Sequence, residues 1–370
     1  MNREQMNMRS VRRALSLTLL TLGASCSGTS TEPDGLPEQP RKALPMGLFK
    51  SVGGLQPGQN PLSAVNTVSS SQTGISISVP WDLCGNDEAC LLDTIKALLD
   101  GASAKSLKVA LAISDGMSTP PGVKARCQLF SFAFRSTPQT MCLAWDADYL
   151  TAKKAFVKVF GARFDAHPAL AYVYFTGACS TNGNEGHCRI DEQAYTAAGY
   201  TASRLADAYI GIMDAYLEAL PTTPIAFEVH AIFGSAAPWT AIWNHVRPTK
   251  RVGIAAWWCA ERLSVNGAET TPVWPLLQEA AEETFSVCQT VGNLSTEPWR
   301  FSDPTLGLDY GTEQSMDPED VTRAFNETLD WAEGKAVHAR QPQPIVRFRV
   351  LEPWHSDMTN PAFSDRWSSF

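Results

Sequence analysis

ALAYVYFTGACSTNGNEGHCR, residues 169–189, joins a strand to a polar loop. Its first part, Leu170–Thr176, is an unbroken apolar run rich in β-branched and aromatic residues. That length and composition suit a strand buried on both faces. Gly177 ends it. The loop beyond carries Cys179 and Cys188, and between them lie Asn184-Glu185 and His187. In α/β proteins the C-terminal ends of parallel strands are where sites are built, so Glu185 is the first candidate for a catalytic carboxylate.

Outward from this strand, strand-like and helix-like runs alternate. Met46–Val52, Gly74–Pro80 and Leu107–Ile113 read as strands one to three. Between the last two, Leu91, Leu92, Ile95, Leu98 and Leu99 form one apolar stripe and predict a helix over Glu88–Asp100, with Gly101 as its stop. A long loop then leads to a helix over Ala147–Asp165, capped by Asp146. After strand four, Asp191–Leu220 reads as one helix, Pro224–His230 as strand five and Pro238–Val246 as a short helix. Val252–Cys259 is strand six, Trp274–Phe285 its helix and Ser286–Val291 strand seven. Asp317 and Pro318 start a helix that runs to Glu333, and Ile345–Leu351 is strand eight. A short helix within Asn360–Phe370 closes the ring. This alternation predicts a single-domain (β/α)8 barrel over residues 45–370. No Gly-rich phosphate loop follows any strand, which disfavours a doubly wound dinucleotide fold.

The N-terminus has a different character. Arg9, Arg12 and Arg13 precede the apolar run Ala14–Leu22, which is too short to span a bilayer as a mature helix. With Gly23-Ala-Ser-Cys26 behind it, the segment resembles a bacterial lipoprotein signal, although Gly23 stands where leucine is usual. The resemblance implies a signal peptide over residues 1–26, lipidation at Cys26, and a lipid-anchored place in the bacterial cell envelope, at the membrane surface, in the periplasm or outside the cell. Residues 27–44, rich in Ser, Thr, Pro, Gly and Glu, read as a flexible tether.

The chain has nine cysteines. With Cys26 set aside, the other eight fall into sequence neighbours: Cys84/Cys90, Cys127/Cys142, Cys179/Cys188 and Cys259/Cys288. Export implies an oxidising compartment, and proximity then suggests four local disulfides. There is no C-x-x-C pair and the six histidines are scattered, so neither a metal nor another cofactor is expected. Net charge is −8 with no basic run after the N-terminus, which argues against a nucleic-acid partner.

The run AWDADYLTAKKAFVKVFGARFDAHPALAYVYFTG, residues 144–177, followed by Asn184-Glu185, resembles bacterial (β/α)8 glycoside hydrolases. These are the β-galactosidase-like and cellulase-like barrels that carry an acid/base glutamate after strand four. GISISVPWDLC at 74–84 and LKVALAISDG at 107–116 resemble their second and third strands. The resemblance covers Gly74–His187 and elsewhere rests on strand order. It implies hydrolysis of an O-glycosidic bond in a carbohydrate substrate, with Glu185 as general acid/base next to Asn184. Strand seven departs from the pattern. Retaining members carry a nucleophilic glutamate at its end, where Ser286–Val291 offers Gln289.

Glycosidic hydrolysis needs two facing carboxyl groups, so a partner for Glu185 is required at the same rim. Glu228 is the first candidate, because a carboxylate in so apolar a run needs a partner or a site. Alternation puts His230 on the same face. Glu261 after strand six, with Trp258 before it, and Trp354 after strand eight join Asn184 and His230 as candidate substrate-binding residues. Aromatic planes suit the apolar faces of sugar rings. Asp115 fits a sugar hydroxyl or a structural role equally well. The competing reading is a non-catalytic carbohydrate- or surface-binding lipoprotein whose barrel has lost its nucleophile, and Gln289 points that way. No G-x-S-x-G elbow supports a serine nucleophile.

Overall fold

The computed structural model describes residues 40–66, 72–178, 190–261, 264–265, 268–335 and 346–367, with 264–265 and 268–269 as backbone alone. Eight strands pair in parallel and close on themselves: β1 (Gly47–Gly54), β2 (Gly74–Pro80), β3 (Lys108–Ser114), β4 (Leu170–Phe175), β5 (Ile225–Glu228), β6 (Val252–Cys259), β7 (Ser286–Thr290) and β8 (Val350–Glu352). β1 pairs with both β2 and β8, which completes a (β/α)8 barrel. Helices α1 (Glu88–Ala104), α2 (Ala147–Phe164), α3 (Ala202–Ala219), α4 (Ala237–Val246), α5 (Trp274–Glu283) and α6 (Pro318–Ala332) follow strands two to seven. Among the described residues a 3-10 turn, Pro61–Val65, follows β1, and the short helices His355–Thr359 and Ser364–Trp367 follow β8.

Strand alternation sorts side chains into two apolar layers. Ala110, Ala112, Ala226 and Ala255 face the lumen with Tyr172, Tyr174, Phe49, Phe285, Val287 and Val350. Eight strands leave room for only a few side chains in the lumen, so the two tyrosines of β4 are matched by alanines on β3, β5 and β6. Residues at the intervening positions, such as Phe227, Ala256 and Leu351, pack outward under the helices. The same alternation carries Glu228, Trp257, Gln289 and Glu352 toward the lumen, each two places beyond a lumen residue.

Several expected elements differ in extent. Gly101 does not end α1, which continues to Ala104. A Cβ there would lie 2.3 Å from Leu62 Cδ2, so the glycine instead lets the 3-10 turn pack closely on the helix. The predicted helix over 191–220 is two: Glu192–Ala197 and α3. Gly199 breaks it at φ +99°, and Thr201 caps α3 by accepting from Arg204 N at 3.1 Å. β8 begins at Val350, and Ile345 lies outside the described residues. The expected long loop before α2 contains an antiparallel hairpin, Leu129–Phe134 with Thr137–Cys142. Its alternating LFSFAF was a readable strand signal. Lys42, within the stretch read as tether, contacts the barrel: its Nζ donates to the carbonyls of His167 and Leu170 at 3.0 Å.

Three of the expected disulfides are present: Cys84–Cys90, Cys127–Cys142 and Cys259–Cys288. The last ties β6 to β7 near their C-terminal ends. Cys179 and Cys188 lie outside the described residues.

Candidate functional site at the barrel mouth

A cavity of about 410 Å³ opens among the C-terminal ends of the strands, the face where barrels of this kind carry their sites. Its wall is rich in hydroxyls: Ser51 from β1, Ser76 and Ser78 from β2, Ser114 at the end of β3, and Ser118 just beyond. Ser78 and Ser114 hydrogen-bond to each other. Two half-buried indoles, Trp257 on β6 and Trp354 after β8, supply its aromatic faces. Trp354 is oriented by an Nε1–H donated to the Thr290 carbonyl at 3.0 Å, and Trp257 meets Tyr174 edge-on at 5.2 Å. Gln289, Arg135 and Arg300 complete its polar lining.

Beneath the floor lies Glu352, fully buried. Its Oε1 accepts from the Tyr172 and Tyr174 hydroxyls, the latter at 2.8 Å. Its Oε2 accepts from Ser76 Oγ and Gln289 Nε2, each at 2.8 Å. Burial pushes this carboxyl above its ordinary range, while the four donors pull it back. A carboxylate has about four lone-pair sites, and here all are occupied. Glu352 is therefore a tie between β2, β4, β7 and β8 under the cavity rather than a nucleophile facing it. Gln289 is one of its donors, which gives strand seven's glutamine a structural role.

Glu228 ends β5 and is also buried, as is His230. His230 Nδ1 lies 2.6 Å from Glu228 Oε1, and Trp257 N donates to the same oxygen at 3.4 Å. The structure thus brings Glu228 and His230 together next to a cavity-lining residue, although neither is part of the cavity wall. Trp258 is elsewhere: it points outward, 1% exposed, donating to the Val229 carbonyl at 2.7 Å and stacked edge-on against Trp274. Its neighbour Trp257 takes the place expected for it, because odd and even positions of β6 face opposite layers. Glu261 is buried beyond the strand end, where burial and Glu327 push its carboxyl up to about 7. Glu185, Asn184 and His187 lie outside the described residues.

Asp115 is structural. Its Oδ2 sits 2.9 Å from Lys153 Nζ, with both side chains wholly buried, and accepts from Tyr149 Oη at 2.7 Å. Oδ1 accepts from Thr119 and from Gly116 N, each at 2.8 Å. Burial works to lower the Lys153 ammonium's affinity for its proton, yet Asp115 holds it above the ordinary value. Lys153 was missed in the sequence because it stands on the buried face of α2, 4.9 Å over the Trp81 ring, where a lysine is not expected. That pairing also places Trp81 in the wall between barrel and helix.

No group of three or more His, Cys, Asp or Glu side chains that could hold a metal occurs among the described residues. No protein-family model matches the sequence, and no curated protein matches it. Among solved structures the chain is similar to an endoglucanase, Cel5A of Pseudomonas stutzeri, at 13% identity and a TM-score of 0.47, over 83% of this chain and 84% of that one. It is similar to a xylanase, XynB of Paenibacillus barcinonensis, at 13% and 0.45, over 85% and 87%. An exo-beta-1,4-mannosidase, Op5Man5 of Opitutaceae bacterium strain TAV5, is similar at 13% and 0.47; the match takes 89% of this chain but 56% of the mannosidase. At these identities the likeness is one of fold alone.

Proposed function

We propose that this protein takes a saccharide at the barrel mouth and hydrolyses its glycosidic bond. The observation that carries the reading is the cavity wall, where two indole faces stand among serine hydroxyls and an amide. Apolar sugar faces stack on the former and sugar hydroxyls bond to the latter. Glu185 is the proposed acid/base. Glu228 is the proposed second carboxyl, supported by its lumen-facing position beside His230. We further propose that the chain is exported and anchored by lipid at Cys26.

A second reading, saccharide binding without hydrolysis, is favoured by Gln289 and by the full set of donors on Glu352. Hydrolysis of an aryl-glycoside panel by wild type, Glu185→Gln and Glu228→Gln separates the two. Turnover lost in both variants supports the hydrolase. Absent wild-type turnover, with oligosaccharide binding that Trp257→Ala abolishes, supports the binding protein. Turnover unchanged by Glu185→Gln would sink the acid/base assignment. Metabolic palmitate labelling lost in Cys26→Ala tests the anchor.

A further inference from the structure

Two guanidinium groups line the cavity, and none of the described lining residues is a carboxylate. They lie at the mouth of a chain whose net charge is −8. The two arginines come from separate elements. Arg135 sits at the tip of the hairpin, and Arg300 in the 3-10 turn Pro298–Phe301 of the loop after β7.

Each is positioned by something specific. Arg135 and Ser136 have φ of +49° and +65°, a left-handed pair usually given to Asn-Gly in a two-residue hairpin turn. Two side chains with a Cβ hold that conformation here, and the Arg135 guanidinium lies 5.2 Å from the Phe134 ring centroid. Cys127–Cys142 ties the hairpin's base. Arg300 runs close past Gly292, where a Cβ would fall 3.0 Å from both Cδ and Nη1. Its Nη1 also meets Glu297 Oε2 at 3.1 Å; both groups are partly exposed, so this pair orients the fork while water screens it.

We infer that the cavity selects an acidic saccharide, a sugar carrying a carboxylate or a sulfate or phosphate ester. Arg135 and Arg300 hold the anion, and Trp257 and Trp354 the ring. The inference rests on the saccharide reading above and narrows its substrate class. A guanidinium fork matches two oxygens of such a group at once, whereas a neutral sugar offers it only hydroxyls.

Calorimetric titration of the full chain with an oligogalacturonate, a sulfated oligosaccharide and a cello-oligosaccharide of matched length tests this. At least one acidic probe is expected to bind about tenfold more tightly than the neutral one or better, with a preference that shrinks as salt rises. Arg135→Gln and Arg300→Gln should each remove most of that preference, read as the ratio of acidic to neutral affinity in the same variant. The carboxylated and sulfated arms distinguish the two kinds of anion. Neutral binding equal to or tighter than acidic, or a preference indifferent to both substitutions, overturns the inference while the saccharide site stands. Failure of all three probes to bind a chain with an intact thermal transition overturns the saccharide reading itself.

Discussion

Glu352 and Lys153 are charges placed where burial is complete, and each is tolerable because its partners were assembled with it. Restoring a carboxylate at strand seven by Gln289→Glu puts it where the amide now lies 2.8 Å from Glu352 Oε2. Like charges that close do not both ionise, so one of them is held protonated. The variant is expected to gain no hydrolysis and to lose stability, by more at pH 8 than at pH 5 in urea titrations. Lys153→Met strands Asp115 without its cation. The expected loss is about 3–5 kcal/mol, and Asp115→Asn in the same chain should recover part of it.

At the scale of elements, the hairpin before α2 depends on its staple. Cys127 and Cys142 are separated by 15 residues, and a loop of that size implies a stabilisation of about 3 kcal/mol. Replacing both by serine should lower the free energy of unfolding by about that amount in denaturant titrations. It should also weaken acidic-probe binding more than neutral-probe binding, because Arg135 rides on the hairpin. Elements were the most legible scale in the sequence. β2 and β6 have the predicted bounds, and α2 and α6 start at the caps read from Asp146 and Asp317. Misreadings arose where one residue served a contact rather than a local preference. Gly101 accommodates Leu62 inside a helix, and Gly199 divides a helix whose apolar pattern continues across the break.

For the whole molecule, the pH dependence of stability has a predictable contribution from Glu261, held at about 7 by burial and by Glu327. Between the ordinary carboxylate range and that value the folded chain keeps a proton the unfolded chain has released. Stability from this group therefore falls as pH rises through that window and is level above it. Glu261→Gln removes the ionisation. It should raise the melting temperature at pH 8 by a few degrees and leave it nearly unchanged at pH 4, a difference that calorimetric scans at both pH values read.

The sequence by itself determined the order of strands and helices, the closed barrel and three cysteine pairs, because each is recorded in local pattern: apolar period, caps and proximity. Which side chains meet at the mouth was decided by closure of the barrel. Ser76 and Glu352 are 276 residues apart and Gln289 and Glu352 63, yet they form one network under the cavity. Alternation along β6 puts Trp257 and Trp258 on opposite faces, but which of them faces the lumen depends on the register of eight strands. Strand periodicity is a property of neighbours in the chain, whereas a site is a property of neighbours in space, and only the tertiary structure supplies the second.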